Sequence, residues 1–111
     1  MRLRADLFVA ALLRRAHGSG AAAYLRHRGA PEAGAVFVKL DCLDGRAALF
    51  APAPPSLQDD DGVRRFVRAH DQDWLPPADI EARLARQRVF DPDMWLIEIE
   101  DRQGRDFLDR G

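Results

Sequence analysis

The stretch Gly34-Ala-Val-Phe-Val-Lys-Leu-Asp-Cys-Leu-Asp-Gly-Arg-Ala-Ala-Leu-Phe-Ala-Pro52 limits what this chain can fold into more than any other. Two runs of strand-like composition flank Asp44-Gly45, a pair suited to the positive φ values of a tight primed turn, and Gly34 and Pro52 punctuate the ends. This is the pattern of a β-hairpin. Strand alternation puts Val36, Val38, Leu40 and Cys42 on one face and Ala35, Phe37, Lys39 and Asp41 on the other. The first set is expected to face the core. Across the turn, Ala47, Leu49 and Ala51 then pair with that inner set, leaving Ala48 and Phe50 outside.

A hairpin needs further elements to bury its apolar face, and the rest of the chain supplies them in order. Ala5, Phe8, Val9, Leu12 and Ala16 form a stripe at helical spacing, with Leu13 on its margin. Arg14, Arg15 and His17 occupy the last turn of this helix, and Gly18-Ser-Gly20 ends it. Leu7 falls off the stripe and is left for another element or a second chain. Ala22 to Arg28 alternates Ala23, Leu25 and His27 against Tyr24, Arg26 and Arg28, which reads as a first strand before the hairpin.

After the hairpin, residues 52–62 combine prolines with an acidic run, the composition of an extended, mobile loop. Val63 to His70 reads as an edge strand, with a short helix as the competing assignment. Pro76-Pro77 opens a second helix running to about Phe90, with an Asp79–Arg83 pair four residues apart. Its apolar stripe is narrow: Ile80 and Leu84 align, and Phe90 lies near their margin. Asp91-Pro92 ends it. Met94 to Glu100 alternates Trp95, Ile97 and Ile99 with Leu96, Glu98 and Glu100, a strand with one buried face. Arg105 to Leu108 is a possible brief return.

The expected fold is therefore α+β, in the order α-β-β-β-(β)-α-β: a mostly antiparallel four- to five-stranded sheet with two helices. With 111 residues the chain reads as a single domain, able to bury roughly 65% of the surface it exposes when unfolded. The 17 basic and 18 acidic residues nearly cancel, which gives no general attraction to nucleic acid or anionic membrane. The N-terminal apolar run, Leu7 to Leu13 after Arg2 and Arg4, is too short to span a bilayer and poorly built as a signal peptide. A single cysteine, Cys42, allows no internal disulfide, and a reducing cytoplasm fits best.

Several blocks carry a resemblance to a known family. Leu13-Arg-Arg15, Gly34-Ala-Val-Phe-Val-Lys39, Leu43-Asp-Gly45 and above all Asp91-Pro-Asp-Met-Trp-Leu-Ile-Glu-Ile-Glu-Asp-Arg102, followed by Gly104-Arg105 and Phe107-Leu108, resemble domain-of-unknown-function family 1491. The resemblance covers nearly the whole chain and implies a small bacterial cytoplasmic protein. It implies no activity, cofactor or site residue. Asp106 departs from it, standing where many relatives are expected to carry histidine.

No motif forms a complete catalytic constellation. Glu98 and Glu100 share a strand face at roughly 6.6 Å, taking ~3.3 Å per residue, a spacing open to acid–base work but equally that of any solvated strand face. Gly18-Ser-Gly-Ala-Ala-Ala23 spells a dinucleotide loop, but in the wrong order, with a helix before it and a strand after. Cys42 alternates with apolar residues and reads as a small buried side chain. The three histidines lack metal spacing, and Asp59-Asp-Asp61-Gly62 lacks the alternation of a calcium loop.

The remaining feature is the outer sheet face that alternation defines: Tyr24, Phe37, Phe50 and Leu96 with Arg26, Arg28, Lys39, Glu98 and Glu100. Apolar residues rimmed by charge are typical of contact surfaces, and the competing reading is that the second helix covers them within the chain. The leading expectation is a non-enzymatic module that binds a protein partner or itself through this face, with no cofactor, metal or membrane. The alternative is a small-ligand binder or enzyme using Glu98, Glu100, Lys39 and Arg28 around a pocket near Trp95. A weaker alternative is nucleic-acid binding through Arg14, Arg15, Arg26 and Arg28 beside Tyr24.

Overall fold

The computed structural model describes residues 3–111; Arg2, used in the reading of the N-terminus, lies outside the described residues. Helix α1 (Ala5–Gly18) buries Ala5, Val9, Leu12 and Ala16, the stripe its sequence spells. It closes as a Schellman motif: Gly20, at φ 87°, donates its N–H to the His17 carbonyl, and Ala21 donates to that of Ala16. The glycine pair is thus a helix stop.

Six strands follow: β1 (Ala22–His27), β2 (Val36–Asp41), β3 (Ala47–Pro52), β4 (Arg65–Arg68), β5 (Trp95–Glu100) and β6 (Asp109–Arg110). A short 3₁₀ turn, Pro55–Leu57, sits in the proline-rich connection, and helix α2 (Pro77–Phe90) precedes β5. The ambiguous segment around residues 63–70 is a strand.

The sheet order is β1-β5-β2-β3-β4-β6, with β5 parallel to β2, β6 parallel to β4, and the remaining pairs antiparallel. This corrects the expected four or five strands to six, and the sheet is mixed: three of its five pairings are antiparallel and two parallel. The chain leaves β3 and β4, crosses the sheet through α2, and returns as β5 between β1 and β2; such a crossover lays the returning strand parallel to its neighbour. Being central, β5 is buried on both faces rather than one, and only its last residue is partly exposed.

The second correction is to the register of the hairpin. Val38 pairs with Phe50, Lys39 with Leu49 and Leu40 with Ala48, and the Cys42 N–H donates to the Arg46 carbonyl at 2.9 Å. The loop is therefore Leu43-Asp44-Gly45, one residue longer than a two-residue turn, with Leu43 at φ 64° and Gly45 at φ 91°. Asp41 accepts from the Leu43 N–H at 2.8 Å and helps hold that unusual leucine conformation. A slip of one residue moves a whole strand's side chains to the opposite face. Ala48 and Phe50 accordingly join Val36, Val38 and Leu40, while Ala47, Leu49 and Ala51 share a face with Phe37.

Two apolar layers result. Under α1 lie Val36, Val38, Leu40, Phe50, Phe66, Trp95, Ile97 and Ile99; under α2 lie Phe37, Ala47, Leu49, Met94 and Leu96, closed by Ile80 and Leu84. Among the described residues no helix is long and apolar enough to cross a membrane.

Candidate functional site

Of the two readings of the outer face, open or covered by the second helix, the structure shows that face covered. Helix α2 packs across it, so Phe37, Lys39, Leu96 and Glu98 are buried. Phe50 is not on this face at all: the register places it in the α1 layer, fully buried, with the Arg68 and Arg110 guanidinium groups over its ring at 5.2 and 4.4 Å. Arg28 also leaves the group. A register shift between Leu25 and His27 turns it so that its guanidinium lies 5.3 Å from the Trp95 ring centre on the α1 side.

The structure does bring Tyr24, Arg26, Lys39 and Glu98 together. Lys39, Glu98 and Tyr24 sit side by side across β2, β5 and β1, since Glu98 is in register with both of the others. Arg26 reaches the same point and donates to Glu98 at 3.0 Å. The residue that joins them from above is Glu81 of α2, bound by both Arg26 guanidinium ends at 2.7 and 2.8 Å and by Lys39 Nζ at 2.6 Å. Lys39 lies 3.7 Å from Glu98 as well. Two cations and two carboxylates thus neutralise one another, and for the buried Lys39 and Glu98 this pairing is the condition for tolerating buried charge.

This network is a clamp that ties α2 to the sheet. Arg26, aided by Lys39, holds the Glu81 carboxyl at a pKa of about 2, while burial and the neighbouring Glu98 and Glu100 push the Tyr24 phenol up to about 12. Glu98 is held by Arg26 at 3.0 Å, with Lys39 at 3.7 Å and the Tyr24 phenol alongside, so its carboxylate is engaged in the clamp. Glu98 and Lys39 do not gather with Arg28 around Trp95. Trp95 is buried in the opposite layer and donates its indole N–H to the Ala30 carbonyl at 2.7 Å, with the sheet between it and Lys39.

Because the Glu81 pKa is depressed in the folded state, the unfolded chain takes up the proton first, and the clamp's contribution is lost as pH falls from the ordinary carboxylate value of 4.5 toward about 2. Glu81 is 40% exposed, so solvent screening reduces the effect. Asp61 and Asp101 are lowered by their arginine partners and add to the same slope. Melting curves of wild type and Glu81→Gln between pH 6 and 3 separate the contributions: the two should converge on acidification. A constant gap would remove Glu81 from the acid response.

The other sequence candidates have structural roles. Cys42 is buried and its thiol is pushed up in pKa by that burial. His17 bonds the Ala23 carbonyl, His27 that of Met94, and His70 accepts from the Leu49 N–H while bonding the Gln72 carbonyl. Among the described residues no three of His, Cys, Asp and Glu converge as metal ligands do.

What the sequence reading missed lies beside the clamp. The C-terminal half of α2 overhangs β3 and β4 and leaves a groove of about 380 Å³, floored by Phe37, Leu49, Ala51 and Ala69 and walled by Arg83, Arg86, Gln87 and Phe90. Phe90 is 85% exposed and Val89 87%, so Phe90 stands clear of the apolar stripe it was expected to border. A second groove, on the other flank of the helix, is lined by His27, Ala85, Arg88, Val89 and Pro92. Arg83 does not pair with Asp79; its Nη1 donates instead to the Ala69 carbonyl at 3.1 Å. The signal available in the sequence was Val89-Phe90 itself, two large apolar residues at a helix end that the Ile80–Leu84 stripe does not absorb.

Comparison with known proteins gives consistent relatives. The model of a family described as "Protein of unknown function (DUF1491)" matches residues 3–109. A crystal structure of a DUF1491 family protein from Caulobacter crescentus CB15 is similar at 39% identity and a TM-score of 0.80, over 97% of this chain and 94% of that one. A solution structure of a protein from A. tumefaciens is similar at 37% identity and a TM-score of 0.79, over 100% and 98% of the two chains. No curated protein matches.

Proposed function

The chain belongs to the DUF1491 family, which brings a fold without an assigned activity, and from that premise we propose that it is a non-enzymatic protein-interaction module. Its contact surface is the end of α2 and the adjoining groove, in place of the bare sheet face. The observation that carries this reading is the pair Val89 and Phe90, 87% and 85% exposed, standing between two grooves. Monomeric proteins seldom leave large apolar side chains so exposed beside a concave apolar floor unless something covers them. The expected compartment is a reducing cytoplasm, in keeping with the free thiol of Cys42.

Affinity purification from the native cell, with tagged wild type beside the Val89→Ser/Phe90→Ser variant, tests the proposal. Both side chains are solvated, so the variant should melt within about 1 °C or 2 °C of wild type, as surface substitutions do. A stoichiometric protein is expected with wild type and lost with the variant. Identical recovery by both would refute the assignment of the surface.

A further inference from the structure

We propose that the occupant of the groove beside Phe90 is a short acidic segment of a partner protein that carries an apolar side chain next to its carboxylates; this rests on the interaction reading above. The floor of the groove, Phe37, Leu49, Ala51 and Ala69, is apolar, and its open wall carries Arg83 and Arg86. Among the described residues neither arginine, nor Arg88 on the other flank, meets a carboxylate, whereas Arg26, Arg65, Arg105 and Arg110 each do. Arg83 is already held in place by its bond to the Ala69 carbonyl, so it has less flexibility to lose when a ligand binds. A groove that combines an apolar floor with an anchored guanidinium, Arg83, and a second one beside it, Arg86, selects a ligand with an apolar anchor and an adjacent anion.

The same charges argue against the other occupants. In a symmetric dimer an identical patch faces itself, which would bring the α2 arginines of one copy against those of the other. Nucleic acid needs a continuous basic track along its phosphates. Here the arginines are bracketed by Asp79 at one end of the helix and by Asp91 and Asp93 just past the other, in a chain of net charge -1.

A random peptide display library selected on the wild-type protein, with the Arg83→Glu/Arg86→Glu variant as counter-selection, tests the proposal. Surviving peptides should carry Asp or Glu beside Leu, Phe or Met. A synthesised survivor should bind wild type in fluorescence anisotropy, weaken with salt, and lose about tenfold or more in affinity to Arg86→Glu and to Phe90→Ser, as removal of a charged or apolar anchor does. Peptides lost with Phe90→Ser but lacking acidic residues would overturn the acidic partner and leave the interaction reading standing. No peptide sensitive to Phe90→Ser would overturn both. Tight binding of oligothymidine at the same site, or a wild-type dimer that Arg86→Glu dissociates, would each overturn the acidic partner in favour of those occupants.

Discussion

Replacing Gly29 with alanine should unfold this protein at a far lower temperature, although the change adds only one methyl group. A Cβ at Gly29 would lie 2.2 Å from the Asp93 carbonyl oxygen, 2.6 Å from Trp95 Cδ1 and 2.7 Å from the Met94 carbonyl carbon. Two of these are backbone atoms and the third belongs to a fully packed indole, so none is a flexible tip that can swing away. The crowding has a structural cause. The link between β1 and β2 is stitched onto the start of β5: Ala30 donates to the Asp93 carbonyl at 2.9 Å, the Trp95 indole donates to the Ala30 carbonyl at 2.7 Å, and the Trp95 N–H donates to Ala35 at 2.8 Å. The added methyl group would break several of these bonds together. Overpacking costs typically ~1–3 kcal/mol, and a clash against backbone belongs at or above the top of that range. In a domain stable by about 5–15 kcal/mol, that corresponds to a loss of roughly 10 °C or more in melting temperature. Gly18→Ala is the matched control: nothing lies within 4 Å of its Cβ position at the end of α1, and it should be neutral or slightly stabilising. Equal melting temperatures for Gly29→Ala and wild type would mean that the β1–β2 link is not packed as described.

The clamp provides the second large effect. Lys39→Met removes a cation whose side chain is 7% exposed and leaves Glu98, also 7% exposed, and Glu81 to share Arg26 alone. Stranding one partner of a buried pair costs about 3–5 kcal/mol, and the surviving Arg26 contacts place this case nearer the lower end. Converting Glu98 to Met in the same chain should restore part of the loss, because the buried carboxylate is then gone while the exposed Arg26–Glu81 pair still ties α2 down. The double variant is expected to be more stable than Lys39→Met by about 1–2 kcal/mol in denaturant titration, a non-additivity typical of groups in direct contact. Strict additivity would show that Lys39 and Glu98 do not act as a pair. The functional consequence follows from position. Glu81 anchors the first half of α2, so loosening it should free the second half that builds the groove.

Most of the elements and three of the clamp's four charged residues were legible in the sequence. Period-two alternation correctly grouped Tyr24, Arg26, Lys39 and Glu98, because side chains two apart on a strand share a face whatever the rest of the fold does. Glu81 was not legible with them. It meets Arg26 from 55 residues away and Lys39 from 42, through the packing angle of α2, which local pattern does not encode. Phe50 and Arg28 failed for a narrower reason. Each depended on a one-residue irregularity, the extra loop residue at Leu43 and the shift after Leu25, and either one reverses the face a side chain occupies.

The sequence by itself determined two amphipathic helices, the strands β1, β2, β3 and β5, and the α+β class, since these follow from short-range periodicity and capping. Only the tertiary structure decided that β5 enters between β1 and β2 parallel to β2, that β3 slips by one residue, and that α2 roofs the outer face while leaving Val89 and Phe90 exposed. Those outcomes depend on how two apolar layers close on both sides of one sheet, an energy that belongs to contacts between distant segments and to no stretch of the chain alone.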